Sequence, residues 1–424
     1  MTLLIKNGRV IDPVKNMDVE QDVLIKNGKI SKVAKDIKEE TEQTIDAKGK
    51  IVMPGIVDMH VHLREPGRED KETIKSGTSA ALKGGVTSVL AMPNTQPAID
   101  SKDAIKQLQE IIKNSAPIDV LIAGSITIGR LGKEVADIDA FKKEGVVAIS
   151  DDGCSVDDDK LLSDALKKAK KNNIVTICHC EDKSLSRQGV VNLGIVSTML
   201  GLRGISKESE YKRVERDISL AQKISAPIHI AHISCKESVD IIAQAKKKSV
   251  QLTCETAPHY FSLDQDALLG YNTNLKINPP LRTKEDVEAI KTGLKSGVID
   301  VIASDHAPHS EYEKDIEFER AEFGTIGLET ILAVSITELI GPGLLSWLDL
   351  AKKLCLNPSK VLGLSSGTLR EGASADLIII DSDKEWVVKK EDFASKSKNS
   401  AFIGKKLKGS VDYAIYKGKI VFKK

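Results

Sequence analysis

The chain has 424 residues, 41% hydrophobic and 29% charged, and its 62 basic and 61 acidic side chains leave a net charge of +1. That balance offers no global field for nucleic acid or acidic membranes, and no apolar run approaches the roughly 20 residues that a bilayer-spanning helix needs. Six cysteines without regular spacing (Cys154, Cys178, Cys180, Cys235, Cys254, Cys355) and an N-terminus lacking the layout of a secretory signal predict reduced thiols in a cytoplasmic protein.

The first elements read as β-hairpins. LLIKNGRVI (Leu3 to Ile11) and VLIKNGKISKV (Val23 to Val33) each show strand, turn and strand, because Asn-Gly accepts the positive φ angles of a type I′ turn. From Gly55 onward short apolar runs alternate with charged amphipathic stretches. The runs are GIVDMHVHL, VTSVLAMPN, IDVLIAGSIT, VVAISDDG, NIVTICHCED, APIHIAHIS, SVQLTCETAPHY and VIDVIASDHAPH, eight in all. Stretches such as DAIKQLQEIIKN and KLLSDALKKAKK separate them, with apolar residues at helical spacing and lysines outward. Eight strand-helix repeats predict an α/β fold, a (β/α)8 TIM barrel, and the absence of a GxGxxG opening a helix argues against an open doubly wound sheet.

One barrel needs about 250 residues, so part of the chain forms something else. ADLIIIDSD from Ala375 and AIYKGKIVF (Ala414 to Phe422) return to the strand-turn-strand pattern of the N-terminus. Isolated hairpins are marginal, so the two ends are expected to join as one small β-sandwich, 1–55 with 365–424, around a barrel domain at 56–364.

All eight histidines lie between residues 60 and 309. Seven fall at or just beyond the ends of predicted strands, the face where barrels carry their active sites. His60 and His62 alternate onto one side of a strand, so both can reach one ion at the mouth. His179, His232 and Asp305 end the fifth, sixth and eighth runs and strengthen that signal. If His179 faces the mouth, Cys178 and Cys180 face the helices as core residues. His229, three before His232, is expected to point away from it as a packed strand histidine. Alternation also sends Asp151 and Asp152 to opposite faces without deciding which faces inward. The charged stretch from Ser310 to Gly324 reads equally well as a lid or as a solvated face.

GIVDMHVHLREPG (Gly55 to Gly67) resembles the dihydroorotase signature, and ASDHAPH (Ala303 to His309) resembles its second. The likeness extends through AMPNT, SDDG, HCED, AHIS, INPPLR and FGTIGLET, and is closest to the type I branch within the amidohydrolase superfamily. It implies reversible conversion of N-carbamoyl-L-aspartate into (S)-dihydroorotate and water, in pyrimidine (UMP) biosynthesis. It implies one or two Zn2+ ions, with His60, His62 and Asp305 holding one, His179 and His232 the second, and Asp152 between them. Many superfamily members place a carbamylated lysine there, and this chain has SDDG. Asp305 would serve as ligand and proton carrier. Arg64, on the same alternating face as His62, would grip the substrate carboxylate with Asn94 and His309, His62 would also touch substrate, and Asn278 with the backbone of Phe323 and Gly324 would contact the ring. The expected partners are a small-molecule substrate, a second copy in a homodimer, and aspartate transcarbamoylase. Two alternatives stand beside this one: another cyclic amidohydrolase (hydantoinase, dihydropyrimidinase or allantoinase), and a non-catalytic scaffold.

Overall fold

A computed structural model describes residues 2–424. Its N-terminal strands are β1 (Thr2–Asp12), β2 (Met17–Lys26), β3 (Lys29–Ala34), β4 (Gln43–Asp46) and β5 (Ile51–Pro54). Asn27 (φ 50°) and Gly28 (φ 77°) turn β2 into β3 as the sequence predicts. The other Asn-Gly pair behaves differently. β1 runs through Asn7 and Gly8 without reversing, and its register with β2 slips between Ile5 and Gly8. This is a bulge rather than a hairpin. Both flanks of the bulge bury into one core, and residues 13–16 make the reversal. Gly8 is required there because a Cβ would lie 2.5 Å from Val52 Cγ2.

The barrel strands are β6 (Ile56–Val61), β7 (Val86–Ala91), β8 (Asp119–Gly124), β9 (Ala148–Ile149) and β10 (Val175–Cys178), followed outside the barrel by a ribbon of β11 (Val191–Asn192) with β12 (Gly204–Ile205). β13 (Ile228–Ile230), β14 (Leu252–Thr256) and β15 (Val301–Ile302) complete it. Neighbours pair in order from β6 to β15. The first and last strands meet through a parallel bridge from Val61 to His306, where His62 N–H donates to His306 O at 2.9 Å. All eight apolar runs lie on these strands. Between them the helices obey the sequence: Ser101 caps Lys102–Ser115, which buries Ala104, Ile105 and Leu108 and leaves Glu110 and Lys113 in water.

β16 (Leu377–Val387), β17 (Lys406–Tyr416) and β18 (Lys419–Lys423) return to the first sheet. β16 lies antiparallel to β5, giving the order β18-β17-β16-β5-β1-β2-β3, with β4 beside β1. Leu3, Ile5, Val23, Val52, Ile379 and Ile415 form its separate core. The connection 388–405 leaves this sheet and runs to the barrel mouth, where Asn399 bonds to residues 307–309. Among the described residues, no helix is long and apolar enough to cross a membrane.

Candidate active site at the barrel mouth

Five of the eight barrel strands end by delivering polar side chains to one point. His60 lies on β6 and His62 just past it, while Asp152, His179, His232 and Asp305 follow β9, β10, β13 and β15. Asp152 is the hub. Its Oδ1 lies 3.3 Å from His60 Nε2, 3.4 Å from His232 Nε2 and 3.5 Å from His179 Nδ1, and its Oδ2 is 3.4 Å from His62 Nε2. Asp305 Oδ1 stands 3.4 Å from His62 Nε2 and 3.6 Å from His60 Nε2. Two overlapping triads, His60-Asp152-His232 and His60-His62-Asp305, keep their ligand atoms within 4.8 Å of one another. All six residues are buried. His60 Nε2 and Asp152 Oδ1 make no hydrogen bond although both are buried. Buried lone pairs aimed at one another are costly unless something positive lies between them, and imidazole with carboxylate is the donor set of a divalent transition metal. The residues present therefore fit a cation.

The aim of these side chains is set partly by unusual backbone. Arg64 (φ 62°), His232 (φ 33°) and Asp305 (φ 48°) occupy the left-handed region. Each such residue costs about 1–3 kcal/mol and persists where the surroundings dictate it.

Electrostatics agree with the geometry. Burial opposes charge on His60, but Asp152, Glu255 and Asp305 overrule it and hold the imidazole well above its ordinary value. His179 is likewise raised, to about 10, with Asp152 and Glu181 overcoming its burial. Burial would raise Asp152 and Asp305, yet the neighbouring imidazoles hold both carboxyls below the usual range, Asp152 well below it. Without a cation, protons on His60 and His179 balance the carboxylates.

A further layer orients the ligands. Asn94 Oδ1 accepts from His62 Nδ1 at 2.8 Å, which leaves Nε2 facing the hub. Glu255 Oε1 lies 2.5 Å from His60 Nδ1 and does the same for that ring. Glu255 Oε2 is 3.3 Å from His229 Nε2, and His229 Nδ1 is 2.8 Å from Thr253 Oγ1. His229 thus points away from the cation point, as alternation requires, but it faces the barrel interior and supports Glu255. The sequence reading missed Glu255. Its signal was a carboxylate in the middle of an apolar strand, two residues after Thr253 on the same face. Asp151 takes the opposite fate from Asp152: its Oδ1 accepts the N–H groups of Ile126 (2.8 Å) and Thr127 (3.1 Å), and its Oδ2 the Thr127 hydroxyl (2.5 Å).

Beside the hub lies a cationic corner. Arg64 is partly exposed, its Nε donates to Pro308 O at 3.1 Å, and Nη2 is 3.2 Å from His309 Nε2. Loss of water lowers its guanidinium to about 10 even though Asp305 and Asp152 are near enough to act on it. Among the described residues it forms no ion pair. His309 Nδ1 is 3.2 Å from Lys71 Nζ and 3.5 Å from Glu313 Oε2. Burial first, then the charges of Arg64 and Lys71, push His309 down to about 3 and keep it neutral.

The remaining predicted contacts lie less directly. Asn278 Nδ2 donates to Glu181 Oε2 at 3.2 Å, and that oxygen is 3.3 Å from His179 Nε2, so Asn278 is tied to the cation side. Gly324 N–H donates to Lys276 O at 2.8 Å and its carbonyl accepts from Lys314 at 2.9 Å, so both its backbone groups are engaged within the chain. Those of Phe323 make no hydrogen bond among the described residues, and its ring lies 4.6 Å beneath Lys276 Nζ. Buried Lys314 also donates to Glu322 O at 2.7 Å, and Lys276 reaches the carbonyls of Phe318 (3.0 Å) and Glu319 (2.9 Å). Lys276 thus holds the charged stretch 310–324 from outside it, and Lys314 ties its two ends together from within.

Barrel, terminal sheet and clustered imidazoles define a cyclic amidohydrolase of the metal-dependent superfamily. A family profile described as Dihydro-orotase-like matches residues 49–238. The chain is 50% identical to the dihydroorotase of Elusimicrobium minutum over 420 residues, covering 99% of this chain and 97% of that one. It is 49% identical to the dihydroorotase of Geotalea daltonii over 425 residues, with 100% of both covered. The chain belongs to the dihydroorotase family. Among solved structures, an L-hydantoinase (dihydropyrimidinase) from Arthrobacter aurescens superposes with a TM-score of 0.91 at 26% identity, covering 100% of this chain and 96% of that one.

Proposed function

We propose that this chain is a dihydroorotase that interconverts N-carbamoyl-L-aspartate and (S)-dihydroorotate, with loss or gain of water, in pyrimidine biosynthesis. One observation carries the choice of substrate: a guanidinium without a carboxylate partner, Arg64, stands at the mouth beside the cation point. A cyclic amide bearing a carboxylate satisfies both halves of such a site, whereas a hydantoin or dihydropyrimidine without one leaves Arg64 unpaired. The planar fork of arginine matches a carboxylate with two parallel hydrogen bonds.

His60, His62 and Asp305 would hold one zinc ion, His179 and His232 a second, and Asp152 would lie between them. Zinc held there would supply Lewis-acid activation of a water and of the ring carbonyl. Asp305, held ionised by its imidazole neighbours, would take a proton from the attacking water on a carboxylate oxygen and pass it to the departing ring nitrogen. The C–O bond forms, the ring C–N bond breaks, and the same groups run the reverse cyclisation. Arg64 and His309 hold the carboxylate, with the free NH2 of Asn94 as a further donor. Asn278 and the Phe323 backbone would meet the ring.

The same reading takes 56–364 as the catalytic unit and places a homodimer in the cytoplasm, with aspartate transcarbamoylase as an associating partner. Symmetric dimers are the commonest soluble assemblies, and light scattering checks that state. Parallel assays with dihydroorotate, dihydrouracil and allantoin, alongside zinc content per chain, test the reaction. Preference for either of the last two substrates overturns the assignment.

A further inference from the structure

We propose that Asn399, contributed by the terminal lobe, is a positioning residue for substrate binding: it sets the spacing between the loop that carries His309 and the loop that carries Gly324. The proposal rests on the dihydroorotase reading of the site and extends it to a part of the chain outside the barrel.

Asn399 lies on the connection 388–405 and is 4% exposed. Its Oδ1 accepts the His309 N–H at 3.1 Å. Its Nδ2 donates to two carbonyls, Ala307 O and Gly324 O, each at 3.1 Å. Its own carbonyl accepts from Thr325 Oγ1 and Ile326 N–H, both at 3.1 Å. One buried amide thus uses its acceptor and both donors on the backbone of two loops. The two loops meet once directly, through a parallel bridge from His306 to Thr325 in which Ala307 N–H donates to Thr325 O at 2.9 Å; beyond that bridge the Asn399 amide is what fixes the irregular backbone at His309 and Gly324 in a buried place.

The spacing matters because the two loops touch. A Cβ on Gly324 would lie 2.8 Å from Ala307 Cβ and 3.1 Å from His309 Nε2, so the Gly324 backbone backs directly onto the ring that reaches Arg64. Asn399 is itself held at the mouth by its neighbours: Ser397 Oγ donates to Lys71 O at 2.6 Å and Ser395 Oγ to Glu72 Oε2 at 2.5 Å. Lys71 in turn contacts His309. The cation point receives no bond from Asn399. Removing its side chain should therefore loosen the grip on substrate and leave the metal in place.

The test is full kinetics and zinc content for the full-length Asn399→Ala and Asn399→Ser variants with dihydroorotate. The expected result for Asn399→Ala is a KM raised about tenfold, with kcat within about threefold of wild type, from a modest misplacement of the carboxylate contacts. Zinc per chain stays the same. Asn399→Ser retains a hydroxyl for the His309 N–H and should fall between. An unchanged KM in the soluble variants, or a loss of zinc that accounts for the loss of rate, overturns the proposal. If Asn399→Ala fails to fold, Asn399→Ser decides by the same criterion. A wild-type chain without dihydroorotate turnover fails the functional reading instead, which separates the two failures.

Discussion

The two halves of the site are built by different means. The cation half takes its groups from or just beyond the ends of parallel strands, where alternation and barrel closure fix direction, and His60 and His62 are backed by Glu255 and Asn94. The anion half hangs on loops: Arg64 in a left-handed conformation, His309 beyond β15, and Gly324 held by Lys276, Lys314 and Asn399. On the proposed reading, strand ends give precision to the reacting centre, while loops held by lysine and asparagine bridges would define which ring the centre receives. The difference teaches that chemistry and selectivity can be perturbed separately.

The largest effect that would sharpen this division is expected at Asp305. Asp305→Asn removes the proton carrier but keeps one oxygen donor, so turnover should fall by about 10³-fold or more while zinc content falls much less. Equal losses of zinc and rate would reduce Asp305 to a ligand. Next comes Glu255→Gln, which keeps the shape of the support to His60 and removes its charge. A loss of about 10–100-fold in zinc affinity, read by chelator competition, is expected with KM little changed. A selective rise in KM would break the division.

Acid should act on the cation half as well. A protonated imidazole has no lone pair for a metal, and His179 is held up at about 10 in the cation-free protein. Zinc binding must then release a proton, so affinity rises with pH up to about 10 and falls by about tenfold per pH unit below that for each proton displaced. Titration in weak buffer counts those protons, and an affinity flat between pH 6 and 8 contradicts the assignment. The smallest effect belongs to the anion half. Arg64→Lys replaces a fork by a point charge and should raise the KM for dihydroorotate about tenfold with little change in kcat. An unaltered KM would remove Arg64 from the carboxylate.

Much of the cation half was legible because strand periodicity is a local property. His60 and His62 share a face by spacing alone, and the ends of eight apolar runs pointed to one rim. Asp151 and Asp152 show where that logic stops. Alternation separates them, and only the position of Thr127, whose backbone and hydroxyl take Asp151, decides which carboxylate is left facing the imidazoles. The Asn7-Gly8 pair shows the same limit in the terminal sheet, where an identical dipeptide makes a turn at residue 27 and a bulge at residue 7.

The sequence by itself determined the eight barrel strands, their order, and which imidazoles and carboxylates could meet, since these follow from spacing along one chain. Tertiary structure alone decided the support of His60 by Glu255 and His229, the burial of Lys276 against the 310–324 stretch, and the reach of Asn399 to His309 from 90 residues away. Those contacts join segments distant in the chain. Their partners are chosen by packing in three dimensions, which leaves no periodic trace in the order of residues.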